Sequence, residues 1–173
     1  LIEKLYFDKG RNVVDNYFSK SSQDEDILLF HEVFTCNAYV ERCSINNIAP
    51  KPFILVLHTN GEVFKMLKIY YPKFSGSKYE RHLNEKICNC FNISSRIVFV
   101  SKLSKQNFVI AFPQYKDKAC IVYNGVPQSI VEYKPIYDGK LRLITVGTVN
   151  ARKNQRMLIE SLGEMQMHNI ELT

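Results

Sequence analysis

The stretch "FILVLHTNG" (residues 53–61) decides the fold of the first part of the chain. Its first five residues are continuously apolar, which is typical of a short strand buried on both faces of a sheet. Thr59, Asn60 and Gly61 then form a turn signal. The pattern therefore places His58 at the carboxyl end of a buried strand, beside a loop and the start of a helix.

Helices and strands alternate outward from this stretch. Further strands are predicted at 27–30, 96–100, 119–123 and 141–146. Helices are predicted at 1–20 (with Gly10 as a candidate break), 62–74 (stopped near Pro72), 77–91, 102–112 (stopped by Pro113) and 156–165. Short apolar strands that alternate with helices indicate a parallel sheet covered on both faces. The sequence therefore predicts a doubly wound α/β fold.

The composition is that of a globular protein with a substantial core. Of 173 residues, 46% are hydrophobic and 23% are charged. No apolar run approaches the roughly 20 residues of a membrane span, and no signal peptide opens the chain, so we expect a cytoplasmic protein. The five cysteines follow no zinc-binding spacing and are expected to be reduced and buried. A polar connection at 132–140 predicts two domains, 1–137 and 138–173.

The net charge of +6 is concentrated in the middle of the chain. Residues 65–118 hold 11 basic and 3 acidic side chains. The predicted helix at 62–74 interleaves Lys65, Lys68 and Lys73 with aromatic residues, which suits either an anionic membrane surface or packing on the sheet with the lysines outward. No base-reading motif accompanies the charge, so nucleic acid is not expected as a partner.

Ligands of open α/β sheets bind at the carboxyl ends of the strands. On position alone, packing or capping is slightly favoured for His58 and clearly favoured for His31. Ser101 stands where a helix N-cap belongs. Asn124 and Gly125 form a turn that follows a strand, and this interpretation is better than a hairpin because the next segment contains prolines.

The segment "VGTVNARKNQ" (146–155) raises an electrostatic question. Arg152, Lys153 and Arg156 lie in the first turn of a predicted helix, where the backbone already forms a positive pole. A phosphate or diphosphate bound at this helix terminus would explain the cations. The alternative is that the arginines extend into water at little cost. The segment is neither a P-loop nor a G-x-G-x-x-G motif.

Four segments in order resemble landmarks of retaining GT-B glycosyltransferases of the family-4 type. They are "FILVLHTNGEVFKM", "RIVFVSKLSKQNF", "IVYNGV" and "LRLITVGTVNARKNQRMLIESL". The resemblance runs from about residue 24 to the end of the chain. It implies two facing Rossmann-like domains with the active site between them. Residues 1–137 would be the acceptor-side domain without its first strand, and residues 138–173 would begin the nucleotide-sugar-binding domain.

The same resemblance assigns roles to individual residues. His58 matches the catalytic histidine near the transferred sugar, and Lys153 matches the lysine that binds the donor diphosphate. Such enzymes usually need no metal, because cations and a helix dipole offset the charge of the leaving group. Arg152, Gly147 and Thr148 would belong to the same diphosphate site. Candidates for lining the cleft are Asn60, Gly61, Ser101, Asn124 and Gly125.

The expected function is transfer of a sugar from a UDP- or GDP-sugar to a glycan or lipid-linked acceptor, in surface polysaccharide or glycoconjugate biosynthesis. The enzyme would work in the cytoplasm, with the inner membrane face as a candidate location. Two departures keep a non-catalytic glycan- or partner-binding module open as the alternative. Thr148 stands where the family commonly has arginine. The paired-glutamate motif of the donor domain would lie beyond Thr173, so residues 1–173 are expected to be an inactive internal piece.

Overall fold

The chain divides into two compact units, Leu1–Val126 and Pro127–Thr173. The structure is a computed structural model, and it describes residues 2–20, 24–125, 138–151, 153–165 and 169–173. Most of the connection predicted at 132–140 lies outside the described residues. Only its residues 138–140 are described.

Strands and helices alternate through the first unit, as the sequence predicted. Its strands are β1 (Leu28–Phe30), β2 (Phe53–Leu57), β3 (Arg96–Phe99) and β4 (Ala119–Ile121). Its α-helices are α1 (Ile2–Phe18), α2 (Val33–Ile45), α3 (Lys65–Tyr70), α4 (Lys78–Ile93) and α5 (Lys102–Ala111). Short 3-10 helices occupy Pro72–Phe74 and Pro113–Lys118. The α/β class is therefore confirmed.

The four strands form one parallel sheet in the order β1-β2-β3-β4. Phe30 pairs with Leu55, Leu57 with Phe99, and Phe99 with Ile121. A doubly wound sheet reverses its strand order at a switch point. Among the described strands the order runs in one direction, so the structure shows a Rossmann-like parallel α/β sheet without that reversal.

The core lies between the sheet and the helices α2, α4 and α5. Alternate residues of β2 and β3, such as Leu55 and Phe99, are fully buried in it, and Phe99 packs against Phe108 with ring centroids 4.8 Å apart. Burying each such side chain contributes about 1.5–3 kcal/mol. Val56 and Val98 point to the opposite face and are also buried, which explains why these strands are apolar throughout.

Two details concern small residues of the helical layer. All five cysteines are free, as predicted; Cys36, Cys43 and Cys90 are buried, but Cys88 and Cys120 are only partly buried. Gly10 does not break the first helix. A Cβ on Gly10 would lie 3.0 Å from the Cα of Thr35, so this glycine allows α1 and α2 to cross closely.

The second unit is a β-α-β arrangement of β5 (Leu141–Leu143), α6 (Gln155–Glu164) and β6 (Ile170–Leu172). The two strands are parallel, with Leu143 opposite Leu172. Arg142 and Glu171 join them by an ion pair of 3.1 Å. In the part of the chain that the structure describes, none of the helices combines the length and apolarity that crossing a bilayer requires.

Candidate functional site

The structure brings two histidines together at the carboxyl ends of neighbouring strands. His31 follows β1 and His58 follows β2. Nδ1 of His31 lies 3.1 Å from Nε2 of His58, a hydrogen-bonding distance, and the rings are nearly parallel at 14°. Both side chains are exposed. The sequence favoured a purely structural role for His31. The missed signal was that both histidines directly follow strands that a parallel sheet can place side by side.

The backbone next to His31 is fixed by a helix cap. Glu32 is the N-cap of α2, and its carboxylate accepts hydrogen bonds from the N–H groups of Phe34 at 2.7 Å and Thr35 at 2.6 Å. The carboxylate therefore satisfies two free N–H groups of the helix and neutralises its positive pole. The chain itself supplies the anion at this terminus.

The loop that carries His58 is fixed by its contact with α5. Gly61 has a φ of +87°, and a Cβ there would lie 2.4 Å from the carbonyl oxygen of Ser104 and 2.7 Å from the nitrogen of Phe108. Asn107 Nδ2 donates to the carbonyl oxygen of Asn60 at 3.0 Å. Asn60 and Gly61, expected to line a cleft, thus hold the histidine loop against the helix.

The other strand-end candidates do not contact the histidine pair within the described residues. Ser101 caps α5, because its Oγ accepts from the N–H of Ser104 at 3.1 Å and lies 2.8 Å from the Ser104 Oγ. Asn124 and Gly125 are exposed beyond β4. The capping role foreseen for Ser101 is therefore the one that the structure shows.

A cavity of 280 Å³ adjoins the pair. His31, Glu32 and Tyr39 contribute to its lining, together with apolar side chains of α1 and β1. Burial raises the pKa of Tyr39 to about 12, and its hydroxyl oxygen accepts a hydrogen bond from the N–H of Lys51 at 2.9 Å. A larger cavity of 860 Å³ lies beside α5 and β4, and neither histidine lines it.

In the second unit, Lys153 lies over Gly147. Gly147 has a φ of +149°, and a Cβ there would lie 3.3 Å from Cε of Lys153. Thr148 is held on both sides, since its Oγ1 accepts from Asn150 Nδ2 at 3.0 Å and its carbonyl accepts from Gln155 Nε2 at 3.1 Å. The predicted diphosphate residues Gly147, Thr148 and Lys153 are therefore neighbours.

The N-terminus of α6 carries no side-chain cap. Asn154 occupies the N-cap with a left-handed φ of 53°, and its side chain makes no capping hydrogen bond. Lys153 has no ion pair within the described residues, whereas Nε of Arg156 contacts Glu160 at 2.6 Å. Arg152 lies outside the described residues. Of the predicted cations, Arg156 therefore follows the water-exposed alternative, and the ligand role of Lys153 stays a prediction.

The basic segment at 62–74 folds as the short helix α3 and a 3-10 turn rather than as one helix. Lys68 pairs with Glu80 at 2.7 Å and Lys65 with Glu62 at 3.4 Å, while Phe64 is buried in the core. Packing on the core with the lysines outward thus describes much of this segment. Its large exposed apolar and aromatic residues are Ile69, Tyr70 and Tyr71.

The sequence matches no protein-family model and no curated protein. The function has therefore to be inferred from the residues of the two units.

Proposed function

We propose that the protein is a metal-independent, retaining glycosyltransferase that uses a nucleotide-sugar donor. The observation that carries the proposal is the free cation of Lys153 beside Gly147, at the uncapped N-terminus of α6. This loop follows the parallel strand β5, and the carboxyl ends of such strands are where α/β proteins bind nucleotides. The motif resemblance supports the same role.

A diphosphate suits this terminus for electrostatic reasons. A helix N-terminus carries about half a positive charge and presents backbone N–H donors. In α2 the carboxylate of Glu32 already uses these groups, and in α5 the hydroxyl of Ser101 does so. In α6 the side chain of the N-cap Asn154 does not, so an anionic ligand there would gain both the amide dipoles and the charge of Lys153.

In the proposed reaction, the bond between the anomeric carbon and the diphosphate oxygen breaks. The acceptor hydroxyl oxygen bonds to that carbon, and its proton passes to the departing diphosphate oxygen. Lys153 and the α6 amides offset the charge that develops on the departing diphosphate. The motif resemblance makes His58, which is exposed after β2, the proposed catalytic histidine.

The proposed donor is a UDP- or GDP-sugar, and the acceptor is a glycan or a lipid-linked sugar in the cytoplasm. A lipid-linked acceptor would be met at an anionic membrane surface. The exposed side chains of Ile69, Tyr70 and Tyr71, next to Lys73, are the part of α3 and its 3-10 turn that suits such a surface. Nucleic acid is not a proposed partner.

One observation favours a second candidate, a non-catalytic glycan- or partner-binding module. Thr148 brings no cation to the position after Gly147, and its side chain already bonds to Asn150. Arg156, the next cation along the helix, is engaged by Glu160. A module of this kind needs no second cation.

Lys153→Ala tests the donor site. In the intact protein, titration calorimetry with UDP and GDP should show affinity for one of them. The substitution should weaken it about tenfold or more, because hydrogen bonds to charged groups contribute about 1.5–3 kcal/mol.

Arg156→Gln is the matched control, since it removes one positive charge close to the same helix N-terminus, at a side chain that is 89% exposed. It should change the affinity less than twofold. Equal affinities for the Lys153→Ala protein and the unmodified protein would refute the diphosphate site. Nucleotide binding without sugar transfer from any nucleotide-sugar would favour the binding module.

A further inference from the structure

We propose that His31 is a positioning residue. It orients the ring of His58 and determines which of the two ring nitrogens of His58 carries the hydrogen. The effect of His31 on catalysis rests on the proposed function. The contact between the two histidines does not depend on it. The inference starts from the 3.1 Å approach of His31 Nδ1 to His58 Nε2. The substrate group that this arrangement selects is a sugar hydroxyl.

The contact requires one donor and one acceptor. A neutral imidazole has one of each, and an imidazolium has two donors, so at least one ring is neutral. When His58 Nε2 donates, His31 Nδ1 is the acceptor. Each neutral ring then carries its hydrogen on Nε2, the more stable tautomer of a free histidine side chain. The geometry therefore favours donation from His58 to His31.

This direction decides what His58 offers to a ligand. With its hydrogen on Nε2, His58 keeps the lone pair on Nδ1, which makes no hydrogen bond within the described residues. A nitrogen lone pair accepts a hydrogen bond from a hydroxyl, and a sugar is a hydroxyl-rich substrate. Without His31, His58 could populate the other tautomer, whose Nδ1 is a donor.

Both rings stand on fixed backbone, which makes the pair a preorganised unit. The double cap by Glu32 holds the residues after His31, and the packing of Gly61 on α5 holds the loop after His58. Groups placed in this way retain their geometry when the substrate binds. A chance contact between two mobile surface side chains would lack this support.

The test compares two substitutions of His31 in the intact protein. His31→Asn keeps an acceptor, because its Oδ1 takes roughly the place of Nδ1. His31→Phe keeps a flat ring and removes the acceptor. His82→Phe is the control, since His82 is an exposed histidine of α4. Circular dichroism checks that each variant is folded.

Long-range 1H–15N NMR of the imidazoles reports the tautomer of His58. The His58 signals are identified because they are absent from the spectrum of His58→Gln. We expect the Nε2–H form in the unmodified, His31→Asn and His82→Phe proteins, and a mixture in His31→Phe. The kcat for sugar transfer should fall about tenfold to a hundredfold in His31→Phe, with nucleotide affinity unchanged, and recover in His31→Asn.

An Nδ1–H form of His58 in the unmodified protein would overturn the inference. So would an unchanged tautomer and kcat in His31→Phe. If the tautomer responds as expected but the unmodified protein transfers no sugar, the pairing stands and the proposed function fails. If the unmodified protein transfers sugar and His31→Phe shows the same tautomer and the same kcat, the function stands and the positioning role fails.

Discussion

Gly61 is the residue on which the placement of the His58 loop depends most directly. Its φ of +87° is unfavourable for any residue with a Cβ, and α5 leaves no space for one. Gly76 has a similar φ of +74°, but nothing lies within 4 Å of its Cβ position. Substitutions at the two glycines therefore distinguish the cost of a positive φ, which both share, from the cost of a steric clash with α5, which only Gly61 has.

We expect Gly61→Ala to lower the free energy of unfolding by about 2–4 kcal/mol. About 1–2 kcal/mol is backbone cost and the rest is overpacking against Ser104 and Phe108. Gly76→Ala should lower it by the backbone part alone. Urea denaturation followed by circular dichroism measures both values, and equal losses would contradict the steric explanation.

At this scale the sequence provided candidate site residues. His58, Gly147 and Lys153 were chosen because each has a local marker, a strand end or a turn before a helix. The contact of His31 with His58 was missed, because the two are 27 positions apart and periodicity does not report which strands are neighbours. The hydrogen bond from Asn107 to Asn60 could not be predicted from the sequence for the same reason.

The side chain of Lys118 caps the C-terminal end of helix α4. Lys118 Nζ donates to the carbonyl oxygens of Phe91 at 3.1 Å, Asn92 at 2.6 Å and Ser94 at 2.9 Å. These are carbonyls at the C-terminal end of the helix, where backbone acceptors lack partners and a positive charge is favourable. Lys118 also ties α4 to the segment that leads into β4.

Lys118→Met should destabilise the protein by about 1–3 kcal/mol, because it keeps the aliphatic stem and removes charge-assisted hydrogen bonds. Lys116→Met is the control, since Lys116 is exposed in the same 3-10 helix. Thermal unfolding should show a lower Tm for the first variant and little change for the second. An unchanged Tm of the Lys118→Met protein would mean that water satisfies the three carbonyls equally well.

Elements with a clear period or a clear stop were predicted closely. Phe53–Leu57 matches its predicted strand, and Pro113 ends α5 as expected. In the segment 62–74 the helix stops before Pro72, as predicted, but its α-helical part is limited to Lys65–Tyr70, and Pro72–Phe74 forms a 3-10 helix. The order of the strands across the sheet depends on tertiary packing, and no local pattern encodes it.

At the scale of the whole first unit, two carboxylates connect its helices. Hydrogen bonds from Lys68 and the N–H of Gly76 lower the pKa of Glu80. Burial works against the ionised form of Glu41, but its ion pair with Lys86 outweighs the burial and lowers its pKa as well. Glu41 pairs with Lys86 of α4 at 2.8 Å, and Glu80 pairs with Lys68 of α3.

A lowered pKa means that the folded state holds these protons less tightly than the unfolded chain. The stabilisation is complete above the unfolded pKa of about 4.3 and is lost as the pH falls through the folded value. We expect each pair to contribute about 1 kcal/mol or less. Urea midpoints should fall from about pH 6 to about pH 3, and Glu41→Gln with Glu80→Gln should flatten that slope.

Glu85→Gln is the control for this experiment, since Glu85 is exposed on α4 without an ion pair in the described part of the chain. It should leave the slope as it is. A slope as steep in the double variant as in the unmodified protein would assign the acid sensitivity to other carboxylates.

The carboxylate of Glu32 has a practical consequence for work on the histidine pair. Because it already occupies the amides at the start of α2, inorganic phosphate or sulfate would meet a negative charge there instead of vacant donors. NMR of the imidazoles in phosphate buffer should then give the same spectra as in an uncharged buffer. Inhibition of sugar transfer by phosphate would be traced to α6, in the other unit.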